Sequence, residues 1–174
     1  MFHPGRRDAG PPVTKTSTMN IEQLPSLLNG AGMKVAIVLS RFNAPIGDLL
    51  LKGAHLALRE QGVADANVLQ VTVPGALETP LALQYLAQTG DFHALVALGA
   101  VIRGETYHFE IVANESAAGV SSVALEFGVP VGNGILTTEN DEQALARAKQ
   151  KGYEAVLAAL EMANLRMAIA DHEN

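Results

Sequence analysis

The sequence contains no cysteine and no tryptophan, and aromatic residues make up only 5% of it. Without cysteine the chain can form no disulfide, use no thiol nucleophile and offer no thiolate to a zinc ion. It also contains no run of about 18 apolar residues, which is the length that a membrane-spanning helix requires. These absences exclude a disulfide scaffold and a helical membrane protein, and they fit a reducing compartment, so we expect a cytoplasmic protein.

Positive charge is also scarce. Lys and Arg number 12 against 18 Asp and Glu, which gives a formal net charge of −6. Binding to nucleic acid needs a basic face that displaces counterions, and no basic stripe interleaved with aromatics is present. The histidines other than His108, namely His3, His55, His93 and His172, show no ligand spacing with carboxylates. We therefore expect no nucleic acid, membrane or metal ion as a partner.

The length and apolar content are those of one globular domain. The chain has 174 residues, of which 48% are hydrophobic, and this is enough to bury a core. Residues 1–19 are rich in proline and lack the apolar segment of a signal peptide. We expect residues 1–19 to form a flexible tail and residues 20–174 to form the domain.

Short apolar runs alternate with longer segments that have apolar residues at helical spacing. The runs predict four β-strands, at residues 34–39, 67–73, 94–102 and 129–136. The longer segments predict five helices, at residues 47–61, 77–88, 108–126, 141–150 and 153–170. Residues 21–28 are a candidate for a short edge strand. Repeated β–α units predict an α/β fold with a parallel sheet and helices on both faces.

The loops that follow the predicted strands contain the residues with useful chemistry. They are SRFNAP at 40–45, PGALE at 74–78, RGETYHFE at 103–110 and TTEN at 137–140. In an open parallel sheet, ligands bind at the carboxyl ends of the strands. Because all four loops lie at that edge, the sequence predicts a single site there.

Each candidate residue in or near these loops also has an ordinary structural explanation. Phe42 is either a platform for a flat ring or an apolar contact between subunits. Glu78 is either part of a ligand-binding turn or an acid that stabilises the first turn of a helix. His108 is a proton acceptor or a surface histidine, and Arg147 is a phosphate-binding fork or a solvated charge.

The segment GAVIRGET at 99–106 is similar to the nucleotide P-loop, G-x4-G-K-[ST]. Glu105 stands where that motif requires lysine, so we expect no nucleoside triphosphate chemistry. The backbone amides of this loop and the Thr106 hydroxyl remain suited to bind a phosphate at the start of a helix.

Five segments, taken in chain order, reduce the number of candidate functions. They are RFN at 41–43, VPGALETP at 73–80, LGAVIRGETYHFEIVANE at 98–115, GVPVGNGILTTENDEQALARA at 128–148 and ALEMANL at 159–165. Together they resemble the lumazine synthase family, over residues 34–165. The resemblance implies a flavodoxin-like, three-layer α/β/α sandwich around a four-stranded parallel sheet, which agrees with the pattern of strands and helices.

The resemblance also implies an enzyme, a transferase of riboflavin biosynthesis. It would condense 5-amino-6-(D-ribitylamino)uracil with 3,4-dihydroxy-2-butanone 4-phosphate. The products are 6,7-dimethyl-8-ribityllumazine, phosphate and water, and this is the penultimate step of the pathway. The resemblance implies neither a cofactor nor a metal.

Residue by residue, the resemblance implies that His108 transfers protons, Phe42 stacks on the pyrimidine ring and Arg147 pairs with the phosphate. The other substrate-binding residues that it implies are Ala76, Leu77 and Glu78 for the ribityl chain, Ala100, Val101 and Ile102 for the pyrimidine edge, Glu105 and Thr106 for the phosphate, and Asn133 and Lys151.

The family resemblance further implies a homo-oligomer built from pentamers, with sites at subunit interfaces. Asn133, Arg147 and Lys151 would reach the site from a neighbouring subunit, and riboflavin synthase is a further candidate partner. Asn133 stands where many members have phenylalanine. The linker between the last two predicted helices is short, which leaves open both the match of Lys151 to the family's lysine and the assembly of pentamers into larger particles.

Two functions other than this enzyme stay open at the level of sequence. A flavin- or nucleotide-binding module without catalysis would need a phosphate loop rich in hydroxyls and glycine after the first strand, and SRFNAP is not one. A structural or carrier protein of the same fold would assemble and hold product. The joint presence of Phe42, His108 and Arg147 favours the enzyme over this structural or carrier protein.

Overall fold

Four parallel strands form the sheet that the apolar runs predict. The computed structural model describes residues 19–172. Its strands are β1 (Val35–Ser40), β2 (Val68–Val73), β3 (Ala94–Ile102) and β4 (Val131–Thr138). Their order is β2-β1-β3-β4, with every pairing parallel. The predicted α/β fold with a four-stranded parallel sheet is confirmed.

Helices cover both faces of this sheet. They are α1 (Ala44–Glu60), α2 (Thr79–Thr89), α3 (His108–Phe127) and α4 (Asp141–His172), and short 3-10 turns lie at Asp65–Asn67 and Ala76–Glu78. One core lies between the sheet and α1 and α4, and a second lies between the sheet and α2 and α3. The central strands β1 and β3 are therefore buried on both faces, which explains why their sequences are apolar almost throughout.

The last helix is continuous, although the sequence predicts two helices, at residues 141–150 and 153–170. The predicted break falls at Gly152, because a glycine inside a helix costs about 1 kcal/mol relative to alanine. A Cβ added to Gly152 would lie 1.9 Å from the carbonyl oxygen of Leu50, and one added to Gly53 would lie 1.9 Å from that of Lys149. The bare backbones let α1 and α4 touch, and this contact outweighs the helix propensity of glycine. The prediction of two helices was wrong.

The same surface of α4 packs closely on the sheet. A Cβ on Gly132 of β4 would lie 2.0 Å from the carbonyl oxygen of Ala155, so the strand also approaches the helix backbone. The buried face of α4 is made mostly of alanine and glycine for this reason. None of the helices within residues 19–172 combines the length and the apolarity needed to cross a membrane.

The N-terminal part of the chain differs from expectation. Residues 21–28 form no strand, so the predicted edge strand was wrong. Pro25 removes a backbone donor from the middle of this segment, which disfavours pairing in a sheet. The segment lies against α4 instead, where Ser26 Oγ donates to Glu161 Oε1 at 2.5 Å and Asn164 Nδ2 donates to the carbonyl of Asn29 at 3.0 Å. Residues 1–18 lie outside the described residues, so the tail and the domain boundary at residue 20 stay predictions.

The substitution Gly152→Ala tests the contact between α1 and α4. Helix propensity alone would raise the free energy of unfolding by about 1 kcal/mol. We expect a loss of about 2–3 kcal/mol instead, because the added methyl would overlap the backbone at Leu50. Thermal unfolding at matched protein concentration measures the change. Gly104→Ala is the control, since a Cβ there meets nothing within 4 Å. A Gly152→Ala protein as stable as the parent would contradict the contact.

Candidate functional site

A cleft of about 500 Å³ opens at the carboxyl ends of β1, β2 and β3. This is the edge of a parallel sheet at which ligands bind. Most of the predicted site residues line the cleft, namely Phe42, Ala76, Leu77, Glu78, Ala100, Val101, Ile102, Thr106 and His108. The structure therefore brings together residues from three of the four loops that the sequence singles out.

Phe42 stands at the rim of the cleft because the chain turns sharply after β1. The backbone N–H of Phe42 donates to the carbonyl of Pro74 at 3.2 Å, which ties the loop to the end of β2. Asn43 has φ 59 and ψ 48, a left-handed conformation that is uncommon for a residue with a side chain. Its Nδ2 donates to the carbonyl of Ala100 at 3.0 Å. These two bonds hold the Phe42 ring 71% exposed, where it can stack on a planar ligand.

Glu78 stabilises its own turn. Its Oε2 accepts a hydrogen bond from the backbone N–H of Gly75 at 2.9 Å. The hydroxyl of buried Thr79 donates to the carbonyl of Gly75 at 3.4 Å, which closes the same turn. The Glu78 carboxylate thus has a structural partner within the turn, and residues 76–78 of this turn line the cleft.

The loop after β3 places Thr106 and His108 side by side. His108 is the first residue of α3, and its backbone N–H lies 3.4 Å from Thr106 Oγ1, which accepts from it. Both side chains are exposed and line the cleft. An imidazole in this position can exchange protons with a bound molecule. Glu105, in contrast, is exposed and lies outside the lining of the cleft.

Arg147 and Lys151 lie elsewhere in the chain. They are one turn apart on α4 and line a second cleft of about 500 Å³, beside β4. Arg147 Nη1 donates to the carbonyl of Gln143 at 3.0 Å. Asn133 is exposed on β4, and its Oδ1 accepts from the backbone N–H of Ile135 at 3.0 Å. Within one chain, therefore, the structure does not bring Asn133, Arg147 or Lys151 into the first cleft.

The side chains that give the first cleft its polarity are few. They are Asn43, Glu78, Thr106 and His108, and the remaining polar groups come from the backbone. Within residues 19–172, no group of three or more His, Cys, Asp or Glu is placed to hold a metal ion. A cleft of this kind suits a molecule that combines a flat ring with hydrogen-bonding groups.

Arg103 links the start of α3 to the loop after β4. Its Nη1 contacts Glu110 Oε1, and its Nε donates to Glu139 Oε2 at 2.6 Å. Its guanidinium also lies 4.2 Å from the centre of the Phe109 ring. The bonds to Glu139 and Glu110 raise the pKa of Arg103, and the bond from Arg103 is the main reason that the pKa of Glu110 is lowered.

Comparisons with known proteins decide the family. A model of the 6,7-dimethyl-8-ribityllumazine synthase family matches residues 32–167. The 6,7-dimethyl-8-ribityllumazine synthase of Paraburkholderia phymatum is 57% identical over 151 residues, which are 87% of this chain and 88% of that protein. The enzyme of Burkholderia multivorans has the same identity and coverage. The chain belongs to the lumazine synthase family.

Membership in the lumazine synthase family confirms the resemblance seen in the sequence. It also confirms the enzyme class and the reaction, so the chain is a transferase that acts in riboflavin biosynthesis. The roles of the individual residues and the oligomeric state stay predictions.

Sequence reasoning did not select several residues that line the cleft of this lumazine synthase. They are Asn43, Pro74, Gly75, Gly104, Phe109 and Val112. Asn43 carried a usable signal, because asparagine is enriched among residues with positive φ. Phe109 and Val112 are spaced three residues apart on α3, so an apolar face turned toward the cleft could have been inferred from their positions.

Substitutions of Asn43 separate its two local effects. Asn43→Ala removes the bond to Ala100 and places an alanine in the left-handed region, so we expect a loss of about 2 kcal/mol of unfolding free energy. Asn43→Gly also removes the bond to Ala100, but glycine adopts positive φ without strain. We therefore expect a loss of about 1 kcal/mol of unfolding free energy. Thermal unfolding compares the two, with exposed Asn114→Ala on α3 as the control. Equal losses at Asn43 would contradict a contribution from the left-handed backbone.

Proposed function

We propose that the first cleft is the place where the ribitylaminouracil and the butanone phosphate condense. The proposal is supported by one observation above all: an aromatic ring from the loop after β1, and a hydroxyl and a histidine from the loop after β3, line the same cleft. Phe42 stacks on the pyrimidine. The main chain at residues 76–78 binds the ribityl chain, and the main chain at residues 100–102 binds the edge of the pyrimidine.

The phosphate of the second substrate binds at the turn before α3. Its ligands are the Thr106 hydroxyl and backbone amides that include the N–H of Glu105, because the Glu105 carboxylate would repel an anion. Arg147 adds a planar fork of donors that matches phosphate oxygens. Because Arg147 lines the second cleft of its own chain, it serves the site of a neighbouring subunit, and Lys151 lies one turn away on the same helix.

The oligomer that this arrangement needs is built from pentamers. Large apolar side chains stand exposed on the helices of one face of the sheet, among them Leu81 and Tyr85 of α2 and Leu125 of α3, which is 86% exposed. Exposed apolar side chains of this size favour a contact between subunits. Asn133 also acts across that contact. Its Oδ1 already accepts from Ile135, so its Nδ2 is the group that donates to the pyrimidine in the neighbouring site.

In the reaction, the primary amine of the uracil attacks the ketone carbonyl of the butanone phosphate. Loss of water gives an imine, elimination then releases phosphate, and attack of the ribityl-bearing nitrogen closes the second ring with loss of another water. His108 takes and returns the protons of these steps. The two substrates react with each other unaided, so holding them in register supplies most of the acceleration.

Two further proposals concern the cell rather than the cleft. The enzyme acts in the cytoplasm, because a chain without cysteine suits a reducing compartment. Riboflavin synthase is its proposed partner, because that enzyme consumes the lumazine product.

The His108→Ala substitution tests the proton-transfer role. We expect turnover to fall at the low end of the range of about 10²–10⁴-fold that general acid–base catalysis contributes. Activity is not abolished, because the substrates remain held together. Lumazine fluorescence and released phosphate measure the rate, with His172→Ala at the end of α4 as the control. Complete loss of activity in a folded and assembled His108→Ala protein would contradict the proposal, as would an unchanged rate.

The Arg147→Ala substitution tests the phosphate role. We expect KM for the butanone phosphate to rise at least tenfold, because a charged hydrogen-bonding fork is worth roughly 1.5–3 kcal/mol, while KM for the uracil changes little. Lys149→Ala, an exposed neighbour on α4, is the matched control. An unchanged KM for the phosphate substrate would rule out the assignment.

Mixed oligomers test whether Arg147 acts in a neighbouring subunit. Co-expression of His108→Ala and Arg147→Ala chains under different tags gives assemblies in which some interfaces pair an intact His108 with an intact Arg147. We expect these assemblies to be more active than either variant alone. Activity no higher than the average of the two variants would mean that each site takes both residues from one chain.

A further inference from the structure

The Arg103 cluster consists of Arg103, Phe109, Glu110 and Glu139. It includes residues on both sides of the turn that contains Thr106 and His108. Arg103 stands at the end of β3 immediately before this turn, and Glu110 stands in the first turn of α3 immediately after it. The contact between the Arg103 guanidinium and the Glu110 carboxylate therefore joins the two ends of the turn. This contact fixes the distance that residues 104–108 have to bridge.

A second set of contacts fixes the cluster to the rest of the sheet. The backbone N–H of Arg103 donates to the carbonyl of Thr138 at 2.9 Å, and its side chain reaches Glu139 in the next loop. The backbone N–H of Glu139 in turn donates to Gln143 Oε1 at 3.0 Å, at the start of α4. Arg103 is thus bonded to the end of β4 and to the loop before α4, neither of which belongs to the turn.

The third contact connects the cluster to the cleft itself. The Arg103 guanidinium lies over the Phe109 ring, and Phe109 lines the cleft next to His108. Arg103 itself is not among the lining residues. Its charge faces two carboxylates, so it is poorly placed to serve as a ligand for a phosphate.

We propose that Arg103 is a positioning residue, which holds the Thr106–His108 turn in the geometry needed for phosphate binding and proton transfer. The proposal rests on the proposed function, because it assumes that Thr106 and His108 meet the substrates. It assigns Arg103 no contact with either substrate. We expect the cluster to contribute little to the free energy of unfolding. The side chains of Arg103, Glu110 and Glu139 are 38%, 32% and 59% exposed, and water and salt screen ion pairs at such sites.

The first test compares Arg103→Gln with Glu110→Gln in the full-length assembled enzyme. For both we expect kcat to fall about tenfold and KM for the butanone phosphate to rise, with the unfolding midpoint changed by no more than about 2 °C. If Arg103 bound phosphate directly, Glu110→Gln would release the guanidinium and lower that KM. A lowered KM in Glu110→Gln, or unchanged kcat and KM in Arg103→Gln, would overturn the proposal. Exposed Arg59→Gln on α1 is the control.

A double variant and a conservative variant sharpen the test. If Arg103 and Glu110 act as one unit, the double variant should be no worse than the poorer single variant, since coupled groups are not additive. Arg103→Lys keeps the charge but not the fork of donors, and we expect it to recover part of kcat. Multiplied losses in the double variant, or no recovery with lysine, would count against a shared positioning role.

Hydrogen exchange gives a readout that does not depend on activity. The amides of residues 104–108 should exchange faster in Arg103→Gln than in the parent, while the amides of β1 and β3 should not change. Unchanged exchange in the turn would overturn the proposal even if the rate fell. If Arg103→Gln fails to assemble, Glu110→Gln carries the same measurements.

His108→Ala in the same assay separates this proposal from the proposed function. If His108→Ala leaves the rate unchanged, the role of the turn in the reaction is wrong and the positioning role falls with it. If His108→Ala slows the reaction and Arg103→Gln does not, the positioning role alone is wrong.

Discussion

The close contact of bare backbones around α4 is the constraint on which the rest of the structure depends. Gly53 and Gly152 let α1 and α4 touch, and Gly132 lets β4 approach the same helix. Dispersion attraction between atoms depends steeply on distance, so a gap of one methyl group at these points would loosen the whole layer. Because α1 and α4 pack on the sheet, β1 and β3 are buried on that face. The carboxyl ends of these two strands lie at the edge where the cleft forms.

The cleft depends on that edge being rigid. Its residues come from loops that are far apart in sequence, and each loop is tied to a neighbouring strand or turn by hydrogen bonds. Asn43 reaches across to Ala100, Glu78 closes its own turn onto Gly75, and Arg103 is held at Glu139. Loops with such bonds can carry function on a stable scaffold, because their positions do not rely on the bound molecule.

Much of the fold could be predicted from the sequence, because strands that are buried on both faces are continuous runs of apolar residues. The bounds of β3 coincide with the apolar run at residues 94–102. The break predicted near Gly152 was wrong because a local signal cannot report a contact with Leu50, which lies far away in sequence. The rule that parallel strands end at one edge predicted where the loops meet, and the family resemblance supplied the individual site residues. Asparagine is compatible with the positive φ at position 43, but the hydrogen bond from Asn43 to Ala100 and the partners of Arg103 depend on the folded arrangement, so no local pattern predicts them.

The continuity of α4 has a consequence for the energetics of anion binding. Arg147 and Lys151 project from a continuous helix, not from a linker, and the backbone of this helix packs against α1 at Gly152, the residue after Lys151. Immobilising a loop together with its side chains on binding would consume part of the interaction energy as lost conformational entropy. Here the backbone share of that entropy is lost once, when the chain folds. If Arg147 and Lys151 bind phosphate as proposed, only their side chains remain to be ordered.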